Sequence, residues 1–80
     1  MPVKTEPDLI LYSRPDCHLC DVAAQMLDAA GARWQSIDID GDAELAERYG
    51  VLIPVVRSRA SGLELRFPFD AETLARFLDG

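Results

Sequence analysis

The sequence predicts an α/β fold in which a four-stranded mixed sheet is covered by three helices, in the order β-α-β-α-β-β-α. Short apolar runs bounded by proline, glycine or charged residues are typical of buried strands, and apolar residues three and four positions apart are typical of amphipathic helices. The two patterns alternate until the last two strands, which follow each other directly. Alternation predicts parallel strands with a right-handed crossover, and direct succession predicts an antiparallel hairpin.

The first strand and the first helix are predicted from residues 9–31. Leu9–Tyr12 is a short apolar run that charged residues and a proline break at 14–16, which indicates a strand. Either Asp16 or Cys17 is then placed to cap a helix, and Gly31 is placed to end it. The apolar stripe of this helix consists of Leu19, Val22, Ala23, Met26, Leu27 and Ala30.

The middle of the chain predicts a second strand and a short helix. Trp34–Asp40 has apolar and polar residues in alternation, with Gln35, Ile37 and Ile39 on one face. Asp42–Tyr49 follows as a helix with acidic residues in its first turn, and Leu45 and Tyr49 form its inward pair.

The last third predicts a hairpin and a closing helix. Residues 51–56 are apolar and β-branched, so we expect a strand in which Pro54 lies at the start or on an edge. A polar connection at 57–62 leads to a half-buried strand that carries Leu63, Leu65 and Phe67. Asp70 is expected to cap a helix with the stripe Leu74, Phe77 and Leu78, and Trp34, Phe67 and Phe69 are expected to pack in the core.

Composition narrows the class of protein. The chain has 80 residues, which is one domain over 1–80, with residues 1–8 expected to be a flexible N-terminal segment. A net charge of −6 argues against nucleic acid and against anionic membrane surfaces as partners. The polar first residues do not resemble a signal peptide and no apolar run approaches the about 20 residues that span a bilayer, so we expect a cytoplasmic protein.

The two cysteines, Cys17 and Cys20, form a C-x-x-C motif at the start of the first predicted helix. A cysteine there faces the free N–H groups of the first turn and the positive end of the helix dipole, and both favour the thiolate, which is the nucleophile. Cys20 lies one turn inside and is expected to be more buried. The spacing therefore predicts a thiol–disulfide oxidoreductase in which Cys17 attacks and Cys20 resolves the mixed disulfide.

The strand, the C-x-x-C helix and a later strand led by Pro54 together resemble the thioredoxin superfamily. The segment from Leu11 to Cys20, LYSRPDCHLC, is similar to a bacterial family of small glutaredoxin-like proteins. The resemblance implies a thioredoxin-like fold with a cis peptide bond at Ile53–Pro54, and a residue before the proline whose backbone binds a peptide or glutathione.

The resemblance also indicates candidate substrate contacts beside Ile53 and Pro54. Arg14 stands where glutaredoxins place a basic residue before the first cysteine, and Asp70 stands where they place an acidic residue before the last helix. His18 is a third candidate on its position alone, because a protonated imidazole between the two cysteines would tune the thiolate. Each also has a plain structural interpretation: a loop charge, a helix cap and a solvent-facing side chain.

The partner and the cofactor are left open. We expect no bound cofactor, no metal and a monomer, with a disulfide-bearing protein or a glutathione mixed disulfide as substrate. Glutathione is open as a co-substrate because residues 66–70, RFPFD, lack the Gly-Gly pair that glutaredoxins usually carry there. The alternatives are a redox-inert binding module on the same fold, or metal or iron–sulfur binding through Cys17 in a dimer.

Overall fold

The computed structural model describes residues 7–79. Its strands are β1 (Leu9–Ser13), β2 (Trp34–Asp38), β3 (Val55–Ser58) and β4 (Glu64–Arg66). Its helices are α1 (His18–Ala29), α2 (Ala43–Tyr49) and α3 (Ala71–Asp79), with a short 3₁₀ helix at Ile39–Gly41. The predicted order β-α-β-α-β-β-α is confirmed.

The four strands form one mixed sheet in the order β2-β1-β3-β4. β1 and β2 are parallel, with Leu9 opposite Trp34. β3 runs antiparallel to both neighbours, with Val55 opposite Tyr12 of β1 and Val56 opposite Leu65 of β4. The α1 crossover and the β3–β4 hairpin therefore match the connections that the sequence predicts.

Each face of the sheet packs against its own helices because successive strand residues point to opposite faces. Leu11 and Val56 pack against α1 and α3 in a first core, which also holds Leu9, Ala23, Leu27, Phe69 and Leu74. Tyr12 and Val55 pack against α2 and the 3₁₀ helix in a second core with Ile39 and Tyr49. Phe67 and Trp34 are partly buried against the first core, so the predicted packing of the three aromatic residues is confirmed.

The predicted third strand is wrong at its beginning. Val51 is 97% exposed, and pairing starts only after Pro54. The N–H groups of Leu52 and Ile53 donate to the carbonyl of Tyr49, at 2.8 and 3.1 Å, and so are engaged in a turn instead of a strand. An apolar, β-branched segment here forms a loop because its backbone groups find partners at the end of α2.

Other expected core positions lie on the surface. Leu19 is 50% exposed and Leu63 is 61% exposed. Ala30 lies beyond the end of α1, and Gln35 is exposed because β2 is an edge strand. The predicted second strand ends at Asp38, where the chain turns into the 3₁₀ helix.

The N-terminal prediction lies largely outside the described part of the chain, which excludes residues 1–6. Asp8 is tied to its neighbours, since its N–H donates to the Arg33 carbonyl and its carbonyl accepts from Arg59 N–H, both at 3.0 Å. Over residues 7–79, no helix has the length and apolar character needed to cross a membrane.

Candidate functional site

The loop after β1 places Cys17 at the N-terminal end of α1. Asp16 has a left-handed backbone, with φ of 59°, and turns the chain towards the helix. Cys17 is extended, and its carbonyl accepts the first helical hydrogen bond from Asp21 N–H at 3.1 Å. Cys17 is therefore the cap of α1, and Asp16, the other candidate for that position, is not.

Cys17 and Cys20 form a disulfide, with Cα atoms 5.2 Å apart. Three residues on a helix make nearly one turn, so both sulfurs lie on one side of the first turn of α1. Cys17 is half-buried, whereas Cys20 is 4% exposed and belongs to the core. A reactant in solution therefore meets the sulfur of Cys17 first.

One backbone N–H of the first turn of α1 is directed at the Cys17 sulfur. Cys20 N–H donates to Cys17 Sγ at 3.2 Å, as an N–H of the first turn does towards a capping oxygen. A negative charge on this sulfur is favoured by that N–H and by the helix dipole. The carboxylates of Asp16 and Asp21 act against it, and the exposed imidazole of His18 stands beside it in sequence.

A second loop reaches the same end of the sheet. Tyr12 is opposite Val55 in an antiparallel pair, so the residues after Tyr12 and those before Val55 leave the sheet side by side. The Ile53–Pro54 peptide bond in this loop is cis, and Pro54 is buried. The Pro54 carbonyl accepts from Phe67 N–H at 3.2 Å, which ties the loop to the end of β4.

Arg14 links the cysteine loop to its neighbours. Its Nη2 lies 3.1 Å from Asp40 Oδ1 in the 3₁₀ helix, and its Nη1 donates to the Gly50 carbonyl at 3.4 Å. The buried Nε has no hydrogen-bond partner. The guanidinium predicted to contact substrate is thus engaged within the protein.

A family model for the glutaredoxin-like domain (DUF836) matches residues 8–79. The chain belongs to this glutaredoxin-like family. The thioredoxin-superfamily resemblance predicted from the LYSRPDCHLC segment and the Pro54 strand is therefore confirmed.

Solved structures support the family and the fold. The protein XcR50 from X. campestris is 47% identical over 89% of this chain and 95% of its own, with a TM-score of 0.82. Protein Ne2328 from Nitrosomonas europaea is 26% identical over 96% and 98% of the two chains, with a TM-score of 0.76. The glutaredoxin grx-1 from Archaeoglobus fulgidus, 17% identical over 96% and 91% with a TM-score of 0.67, shares the fold. No curated protein matches the sequence significantly.

In this glutaredoxin-like domain, Asp70 caps α3. Its Oδ1 accepts a hydrogen bond from Thr73 N–H at 2.7 Å, and that bond lowers the pKa of the Asp70 carboxyl from its ordinary value. The side chain is exposed and directed to its own helix. The structure therefore gives Asp70 a capping contact, and its predicted role towards substrate stays a prediction.

Tyr12 and Tyr49 form a cluster beneath the cis-proline loop that the sequence patterns did not indicate. The rings of Tyr12 and Tyr49 stack with centroids 4.3 Å apart, and the Tyr49 hydroxyl donates to Glu64 on β4. Burial, then the Glu64 hydrogen bond, raises the pKa of Tyr49. A buried tyrosine in place of phenylalanine signals a polar partner, but finding that partner needs the strand register.

A metal site needs several ligand side chains close together in space. Among residues 7–79, no three or more His, Cys, Asp or Glu side chains are grouped so that they could hold a metal ion.

Proposed function

We propose that this glutaredoxin-like protein is a thiol–disulfide oxidoreductase in which Cys17 attacks and Cys20 resolves. One observation carries the proposal: Cys17 Sγ accepts the Cys20 N–H at 3.2 Å at the start of α1 and is half-buried, while Cys20 is buried. Exposure together with a donor aimed at the sulfur favours nucleophilic attack by Cys17.

The proposed reaction starts from the dithiol form. The Cys17 thiolate attacks one sulfur of a substrate disulfide, an S–S bond forms between Cys17 and that sulfur, and the other substrate sulfur leaves as a thiolate that takes up a proton. Cys20 then loses its proton and attacks Cys17 Sγ, which forms the Cys17–Cys20 disulfide and releases the second substrate thiolate. Two electrons pass from the protein to the substrate, and an external dithiol returns the site to its reduced form.

The cis-proline loop is proposed to hold the substrate chain. Ile53 is half-buried, and its N–H is used by the Tyr49 carbonyl, so its own carbonyl is the group left to meet a substrate N–H. Pro54 is buried and fixes the position of Ile53 against β3. This arrangement supports Ile53 and Pro54 as the substrate platform that the family resemblance implies.

Trapping the intermediate tests the roles of the two sulfurs. Reduced Cys20→Ser and Cys17→Ser variants are mixed with bis(2-hydroxyethyl) disulfide, acidified and examined by intact mass and peptide mapping. We expect a mixed disulfide on Cys17 in Cys20→Ser, and a much slower reaction of Cys20 in Cys17→Ser. Faster modification of Cys20 would reverse the roles, and inert sulfurs in both variants would make the protein a binding module.

A further inference from the structure

Exposed apolar side chains lie on the two segments that meet at the redox site. Over residues 7–79, the exposed large hydrophobic residues are Leu19, Val51 and Leu63, at 50%, 97% and 61% exposure. Leu19 lies between the two cysteines in the first turn of α1, and Val51 lies in the cis-proline loop. Two of the three therefore stand on the two segments that meet at the redox site, and we call Leu19 and Val51 the apolar rim.

Arg14 joins the segment that carries Val51 to the cysteine loop. Arg14 Nη1 donates to the carbonyl of Gly50, the residue before Val51, and Arg14 itself lies three positions before Cys17. Val51 points away from the core because the backbone on either side of it is held: Gly50 N–H donates to Ala46 and Leu52 N–H to Tyr49. Covering an apolar side chain that is almost fully exposed to water lowers the free energy of the complex, so such a side chain favours binding of a partner.

The charge at this end of the sheet is negative. The parallel pairing of β1 and β2 brings the residues after both strands together, and the Arg14–Asp40 contact shows that they meet. Exposed carboxylates on these segments and on the first turn of α1 are Asp16, Asp21, Asp38, Asp40 and Asp42. Against these five carboxylates stand three arginines: Arg14, which Asp40 engages, Arg48 in the last turn of α2, and Arg66, which is opposite Val55 at this same end of the sheet.

From these two features we infer that the preferred substrate is a polypeptide disulfide with apolar and basic residues beside its cysteine, and not glutathione. This inference rests on the proposed oxidoreductase function. An apolar substrate residue covers the rim on the β3 side, and a basic residue meets the carboxylates on the β2 side. Glutathione offers no apolar side chain, and its two carboxylates and one ammonium group leave it negative, so both features act against it.

The step itself is the exchange described above, with the polypeptide disulfide as oxidant. Its first cysteine sulfur joins Cys17, its second leaves as a thiolate, and Cys20 completes the transfer of two electrons. Dithiothreitol, a dithiol, then reduces the Cys17–Cys20 disulfide in the assay and is itself oxidised to its cyclic disulfide.

Rates with three test disulfides and one reference disulfide, measured for four proteins, test the inference. The disulfides are a synthetic peptide with Leu and Lys beside its cystine, the same peptide with Glu at both positions, and the glutathione mixed disulfide of a cysteine. The proteins are the wild type, Val51→Ser, Leu19→Ser and the matched control Leu63→Ser. Each rate is divided by that for bis(2-hydroxyethyl) disulfide, which is too small to cover the rim, so effects on the sulfurs themselves cancel.

We expect the wild type to reduce the Leu-Lys peptide about tenfold faster, in kcat/KM, than either other disulfide, with a ratio that falls as salt screens the carboxylates. Val51→Ser and Leu19→Ser should lower the normalised rate for that peptide about fivefold, and Leu63→Ser should leave it unchanged. Equal losses in all three variants, or a preference for glutathione, would overturn the inference while the small disulfide still reports an active enzyme. An inactive wild type with the small disulfide would instead overturn the proposed function.

Discussion

Arg14 and Asp40 form an ion pair that joins the cysteine loop to the 3₁₀ helix, with Nη2 and Oδ1 3.1 Å apart. The same guanidinium reaches the Gly50 carbonyl, where the cis-proline loop begins. One side chain thus connects the cysteine loop, the 3₁₀ helix and the start of the cis-proline loop. Because Asp40 opposes its charge, we expect Arg14 to act on the spacing of the loops rather than on an anionic substrate.

Releasing Arg14 from Asp40 should therefore change substrate preference in a known direction. In Asp40→Asn the guanidinium keeps its charge and loses its opposing carboxylate, so kcat/KM for a glutathione mixed disulfide should rise by roughly twofold to fivefold, in line with a half-exposed ion pair worth up to about 1 kcal/mol. Steady-state kinetics measure the effect. Adding Arg14→Met should remove the gain, and a gain that persists in the double variant would show that Arg14 is not its source.

Tyr49 makes the stability of the fold depend on alkaline pH. Burial, then its hydrogen bond to Glu64, raises the pKa of Tyr49 above its ordinary value of 10.0. The folded protein thus holds the phenol proton more tightly than the unfolded chain, so this contribution is complete below the unfolded pKa and is lost as pH rises through the folded pKa.

Urea unfolding at a series of pH values checks this. As pH rises above about 10, the free energy of unfolding of the wild type should fall more steeply than that of Tyr49→Phe. At neutral pH, Tyr49→Phe should be less stable by about 1 kcal/mol, because it loses the Glu64 hydrogen bond and keeps the stacked ring. Parallel pH curves for the two proteins would contradict the account.

Asp70 is expected to act on α3 and not on substrate. Its pKa is lowered from 3.8 by the Thr73 N–H bond, so the stabilisation is present above the unfolded pKa and is lost as pH falls through the lower folded pKa. Asp70→Ala should lower the thermal unfolding midpoint at pH 7, and Asp70→Asn, which keeps a capping acceptor, should lower it less. The difference between wild type and Asp70→Asn should disappear in acid.

Kinetics with the same variants separate the two interpretations of Asp70. Asp70→Asn should reduce bis(2-hydroxyethyl) disulfide and a glutathione mixed disulfide at the wild-type ratio. A selective loss with the glutathione substrate would support the substrate contact that the family resemblance implies.

Much of the fold was predictable because local patterns and turn residues act together. The stripe of α1 contains Ala23 and Leu27, which are fully buried, and Gly31 adopts the left-handed conformation, φ of 70°, that ends the helix. The burial of Cys20 was also predictable, because the position of a residue within the first helical turn fixes its surroundings, whereas the sequence left the cap open between Asp16 and Cys17.

The errors arise where tertiary contacts decide. Val51 has strand propensity, but the Tyr49 carbonyl takes the N–H groups that follow it, and no residue pattern announces that competition. Arg14 and Asp40 are 26 positions apart and meet only because β1 and β2 are parallel neighbours. The stacking of Tyr12 on Tyr49 likewise depends on how α2 lies across β1.

The most direct test of the account is a redox titration of the Cys17–Cys20 pair. The protein is equilibrated in glutathione buffers of graded potential, quenched with an alkylating reagent and examined by intact mass. We predict one reversible two-electron transition between dithiol and disulfide, which is absent from Cys17→Ser and from Cys20→Ser. Sulfurs that stay in one state across the whole range, or a wild type that collects glutathione on both sulfurs and does not close the Cys17–Cys20 disulfide, would contradict a redox role for this pair.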